Sequence, residues 1–244
     1  MMRGLLAMVL GLSLNLFGDK ITSATQQQTT HTDRLEFAPG GTIHFGESTG
    51  SLIVDGWDEP AVEVTVLKAM PYYYDKTKGA QRLERVRVSA ERKSPTELAI
   101  STMLPPRGFP LFTSPTGKVI IDYHVSVPRD SHIVIHHSSG YVMVSNVSGE
   151  IEATSGRGDI MVLLPDPGPY NIDAKSKFGT VLSDFTGDDH AQHLVGEKFA
   201  APNSAPAKRI YLRMGWGGVT IKELQPDPGL PAALNKPGAS ALTN

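Results

Sequence analysis

The chain has 244 residues, no cysteine and a formal net charge of −2. That length holds one sizeable domain or two small ones. The missing cysteine excludes a disulfide scaffold, a thiolate nucleophile, a Cys-ligated zinc site and a lipid-modified N-terminal cysteine, and the near-neutral balance supplies no basic field for nucleic acid or anionic lipid.

Arg3 is followed by an apolar run from Leu5 to Phe17, then by polar residues and the small-residue stretch Thr22-Ser23-Ala24. This is the order of a secretory signal, expected over residues 1–24 with cleavage after Ala24. The run is shorter than the roughly 20 apolar residues of a membrane span, so a membrane is involved only if the segment stays uncleaved as an anchor. Cleavage would leave 21 basic and 24 acidic residues. Residues 25–34 are polar and aperiodic and read as a flexible leader. Residues 35–224 read as the folded part, and 225–244, rich in Pro, Gly and Ala, as a disordered tail.

The 24 glycines and 18 prolines, set among many Val, Ile and Thr, indicate short strands separated by turns. Five segments align on a glycine anchor: Gly50, Gly140, Gly158, Gly179 and Gly217. Seven and five residues before each anchor stand Ile43/Phe45, Ile133/Ile135, Ile151/Ala153, Ile172/Ala174 and Ile210/Leu212. Two and four residues after it stand Leu52/Val54, Val142/Val144, Ile160/Val162, Val181/Ser183 and Val219/Ile221. Only Ser183 interrupts this apolar set. Positions two apart share one face of a strand, so each repeat is strand, glycine turn, strand, with both strands facing one interior. Such a unit cannot bury its apolar face alone and must stack. The fold class expected is all-β, a β-solenoid or β-helix-like stack of short strands. An antiparallel sandwich built from similar hairpins is the competing architecture.

Between the first two repeats, residues 58–128 hold strand-like runs at Ala61–Lys68, Val86–Glu91, Glu97–Thr102 and Lys118–Val127, with a helical stretch at Asp75–Arg85. They are expected to form an antiparallel meander inserted near the N-terminus. Residues 186–208 match the repeat poorly and read mainly as a long loop.

The outward positions supply the candidate sites. Ile53, Met143, Met161 and Leu182, with Thr220, stand three residues after the anchors and point away from the interior. A large apolar row in water is a liability, so it is covered by another layer such as residues 58–128, or it is an interaction surface for a partner or for self-association. Glu152 and Asp173 share one outward position in successive repeats, where stacking would set their backbones about 4.8 Å apart. Paired carboxylates of that kind serve polysaccharide cleavage, which makes a carbohydrate-active enzyme the alternative function.

Other patterns have plainer readings. Asp188, Asp189, His190 and His193 have metal-ligand chemistry but read as a solvated loop. His132, His136 and His137, with His44, read as exposed strand histidines. Arg157-Gly158-Asp159 owes its glycine to the repeat, and Asn146-Val147-Ser148 is a glycosylation acceptor pattern. No nucleophile elbow, zinc-binding helix or phosphate-binding glycine loop occurs, and no cofactor is called for.

Taken together, residues 50–68, 119–162 and 177–185 resemble the bacterial "putative-adhesin" domain family. In that family a G-W-D-x-P-x-V-x-V strand pair is followed by Y-x-V-x-V-P and by a G-x-V-x-V … T-x-x-G-D-I run. The resemblance covers most of residues 41–224. It implies a β-helix-like stack, an envelope or extracellular location with a protein or envelope component as partner, and no enzymatic activity.

Overall fold

A computed structural model of the chain describes residues 28–70, 76–103, 119–165, 168–191, 196–203 and 206–225. The expected signal segment, the first three leader residues, nearly all of the tail, and His193 lie outside the described residues.

The described chain is all-β. Fourteen strands form one mixed sheet that does not close on itself. Its centre is built from three long strands, β2 (Thr42–Trp57), β7 (His132–Ser145) and β8 (Ile151–Leu164). They run parallel and in register, so Ile43, Ile133 and Ile151 form one row and Leu52, Val142 and Ile160 another. Next come β13 (Lys208–Trp216) and β14 (Val219–Glu223), both parallel to β8, then β9 (Tyr170–Phe178) beside β13 and β10 (Val181–Ser183) beside β14. The columns of the sequence alignment are therefore the rows of the sheet, and its apolar members form the core, none more than 6% exposed. Ser183, the exception, lies on the terminal strand β10.

The anchors bend these strands. Gly50, Gly140, Gly158, Gly179 and Gly217 all take positive φ, between 108° and 153°. They stack as a ladder. A Cβ on Gly140 would lie 1.8 Å from the Gly50 carbonyl oxygen, one on Gly158 1.8 Å from that of Gly140, and one on Gly217 1.6 Å from that of Gly158. Conformation and close approach both demand glycine here.

The order within the stack differs from the order along the chain. The Gly217 repeat lies between those of Gly158 and Gly179, because β13 pairs with β8 on one side and β9 on the other. With Leu212 and Ile221 it presents more apolar bulk than the Gly179 repeat, with Ala174 and Ser183, and so takes the more interior place.

At the N-terminal end the sheet divides. One arm runs from β2 to β5 (Glu97–Met103) and β4 (Arg87–Ser94). The other runs from β2 to β6 (Ile120–Pro128), β3 (Ala61–Ala69) and β1 (Gln28–Glu36). The β3–β6 and β4–β5 pairs are antiparallel, as expected of the insertion, whereas β5 and β6 join β2 in parallel. The helix α1 (Lys76–Glu84) coincides with the expected helical stretch and docks through the buried Leu83. No helix among the described residues is long and apolar enough to cross a membrane.

Two segments correct the expectations. Gln28–Arg34, read as leader, belong to β1, which pairs with β3 from Gln28↔Ala69 to Glu36↔Ala61. Main-chain pairing to an open edge needs no apolar side chains, so periodicity missed it. Within residues 186–208, β11 (Asp188–Ala191) and β12 (Glu197–Ala201) form an antiparallel pair that caps β9, with Phe199 buried.

Candidate interaction surface

Past the ladder, the outward positions line up across the sheet. Ile53 faces Met143, Met143 faces Met161, Met161 faces Thr220, and Thr220 faces Leu182. Ile53, Met143 and Met161 are half-buried by their neighbours, and Leu182 at the edge is 61% exposed. Half-buried Leu163 and Tyr141 flank the row, the Tyr141 hydroxyl donating to Met161 Sδ at 3.4 Å. Burial and the nearby Asp159 carboxylate push the Tyr141 hydroxyl above its ordinary pKa. Of residues 58–128, β3 and β6 lie beside the row in the same sheet, His124 continuing it next to Ile53 and Thr65 next to His124. These two strands of the insertion thus extend the face sideways.

Glu152 and Asp173 are not brought together. Tyr211 of β13 stands between them, since Glu152 pairs with Tyr211 and Tyr211 with Asp173. Their backbones are two strand spacings apart, about 9.6 Å, rather than one. Arg213 donates to Asp173 at 2.6 Å, and Arg209 approaches Glu152 at 3.6 Å. The two guanidinium groups also lie 3.8 and 4.6 Å from the Tyr211 ring centre. Each carboxylate is thus charge-paired to an arginine beside Tyr211 rather than set next to the other acid.

The histidines separate by environment. His44 lies 3.3 Å from Glu97 and His132 4.0 Å from Glu150, both at the surface, and His136 is exposed. His137 departs from the expectation, being only 5% exposed. Its Nδ1 and the Ser48 hydroxyl are 2.7 Å apart, and its Nε2 has no partner. Burial lowers its pKa, partly offset by the backbone of Gly50 and Ser139. The alternation that puts Ile133 and Ile135 inside carries His137 inside too, so the signal was present in the repeat.

Asp188 and Asp189 are exposed on strand β11, and no group of three or more potential metal-binding side chains occurs among the described residues. Gly158 of the Arg-Gly-Asp sequence is a ladder residue, and Asp159 accepts from the Gly218 N–H at 2.8 Å. The Asn146 side-chain amide donates to the Gly56 carbonyl at 2.9 Å, so it is engaged in the fold.

The residue before each anchor is Thr49, Ser139, Arg157, Phe178 or Trp216, and this column forms the outer corner of the bend. Trp216 is 55% exposed and stacks on Phe178, with ring centres 4.1 Å apart.

No protein-family model and no curated protein matches the chain. Among solved structures, it is similar to a crystal structure described as a putative cell adhesion protein from Clostridium sporogenes. The identity is 10% and the TM-score 0.49, over 80% of this chain and 100% of that one.

Proposed function

We propose that the chain is an exported, non-catalytic, adhesin-like binding protein of the bacterial envelope or exterior, its strands winding as a β-solenoid that presents a rigid face to a protein or envelope partner. The winding is supported by the short return from β7 to β8, where only residues 146–150 carry the chain back to the start of the next row. That return is also tied to its neighbours: the N–H groups of Ser148 and Gly149 donate to the Arg129 carbonyl in the return from β6 to β7, and that of Asn146 to the Leu163 carbonyl of β8. Export is supported by the N-terminal apolar run, and the non-catalytic reading by the pairing of Glu152 with Arg209 and of Asp173 with Arg213.

The observation that carries the binding role is the row of Ile53, Met143 and Met161, which Thr220 links to the exposed Leu182 at the edge. Methionine adapts to varied partners, and such rows mark interaction surfaces. Replacing Met143, Met161 and Leu182 together by glutamine tests it. The variant should melt with the parent yet lose capture by a solubilised envelope fraction, or lose self-association in sedimentation. Unfolding of the variant would assign the row to the core and end the interface reading.

A further inference from the structure

At the outer corner, where β7, β8, β13 and β9 bend side by side, lies a groove of about 420 Å³. Its floor is bare because Gly156 and Gly215 meet across β8 and β13. A Cβ on Gly215 would lie 2.4 Å from the Gly156 carbonyl oxygen, and one on Gly156 2.7 Å from that of Ser138. Lys177 and Arg213 line the groove, with Glu47 as the lining acid. His137 and Ser155 also line it, both at least 94% buried, and His137 Nε2 and Ser155 Oγ have no hydrogen-bond partner. Buried polar atoms without partners are rare unless something else satisfies them.

The groove continues into the aromatic corner through Lys177, whose Nζ lies 5.4 Å from the Phe178 ring centre while Phe178 stacks on Trp216. On the other side of Trp216 its register partner is Arg157. Beside the groove, Arg213, Lys175 and Lys198 occupy one row on three adjacent strands. Arg213 is paired with Asp173, but Arg157, Lys175, Lys177 and Lys198 make no ion pair among the described residues. Like charges opposite one another in a sheet repel, so this row gains from an anion laid across it. The exposed Trp216 face gains from a flat, partly apolar group.

We propose that this corner is a binding site for an acidic carbohydrate, a chain of uronate-type sugars. One ring lies on the Trp216–Phe178 platform, the carboxylates of successive rings meet Lys177, Lys175 and Arg157, and the sugar hydroxyls reach the polar groups of the groove. An acidic peptide would answer the charge but leave Trp216 uncovered. A dense polyanion such as nucleic acid is opposed by Glu47, Asp159 and the overall charge of −2. The site is separate from the Ile53–Leu182 row and stands or fails independently of it.

Calorimetric titration of the full chain with oligogalacturonate, with a neutral malto-oligosaccharide of equal length and with polyglutamate decides the matter. Oligogalacturonate should bind, more weakly as salt rises, while the other two should not. Trp216→Ala should weaken binding about tenfold, as loss of a stacking aromatic does. Lys177→Gln, which leaves the aromatic pair intact, should weaken it severalfold and flatten the salt dependence. No binding of oligogalacturonate, equal binding of polyglutamate, or unchanged affinity in both variants would overturn the proposal.

Discussion

Between β7 and β8, the inward rows set aliphatic side chains against one another, Ile133 on Ile151, Val142 on Ile160 and Val144 on Val162, with His137 on Ser155 as the polar exception. Between β1 and β3 the rows set Thr29 on Lys68, Thr32 on Thr65 and Arg34 on Glu63, and of β1 only Leu35 packs against the core. Both pairs are long and in register, yet they are held differently. The central pair removes apolar surface from water on its inner face and approaches closely enough to exclude any Cβ at the ladder. The edge pair relies on main-chain hydrogen bonds and exposed polar contacts, which are individually weak in net terms. A strand can thus be well formed and still contribute little to what keeps the domain folded.

The largest effect should come from the ladder. Gly140→Val puts a branched side chain at φ 129° with its Cβ 1.8 Å from the Gly50 carbonyl oxygen. It should cost at least about 4 kcal/mol and abolish the cooperative transition in chemical denaturation. A midpoint close to that of the parent would mean that the strands can separate there without loss. Leu52→Ala, at a position fully shielded from water, should cost about 3 kcal/mol by lost burial and the cavity left behind.

His137 sharpens the contrast through pH. Its folded-state pKa lies below the unfolded value of about 6.5, so the fold prefers the neutral ring. The contribution is complete above about pH 6.5 and is lost as pH falls from there through the folded value, at no more than about 1.4 kcal/mol per pH unit. His137→Asn keeps a partner for Ser48 and should remove that part of the slope in denaturation series below pH 6.5. An unchanged slope would show that His137 does not carry the acid sensitivity.

The smallest effect belongs to the edge. Arg34, itself exposed, pairs with Glu59 and Glu63 and lies 5.1 Å from the ring centre of half-buried Trp57. Arg34→Gln should leave the thermal midpoint where it is. A fall comparable with that of Leu52→Ala would make β1 part of the cooperative core.

Candidate sites were less legible than the core, for a definite reason. Alternation identifies which side of a strand a residue occupies, so the Ile53–Met143–Met161 row could be read before its register was known. It does not tell which strands are neighbours. Glu152 and Asp173 share a column, but the row between them also contains Tyr211, because β13 enters the stack there. The groove was hidden for a related reason. Gly156, Gly215, Lys177 and Arg213 come from three strands and become one surface only when those strands are ordered.

What the sequence by itself determined is the all-β class, the five bends and the rows of the core. These follow from local stereochemistry: a period of two for the strands, and glycine where the backbone turns through positive φ. What only the tertiary structure decided is the order of rows within the stack, the recruitment of β1 and β12 to it, and the neighbours at its outer corner. Those depend on which edges are free and how much apolar bulk each repeat presents. The five anchors and their apolar flanks specify the register of each repeat but not its place. The Gly217 repeat, last in the chain, therefore lies between the two that precede it.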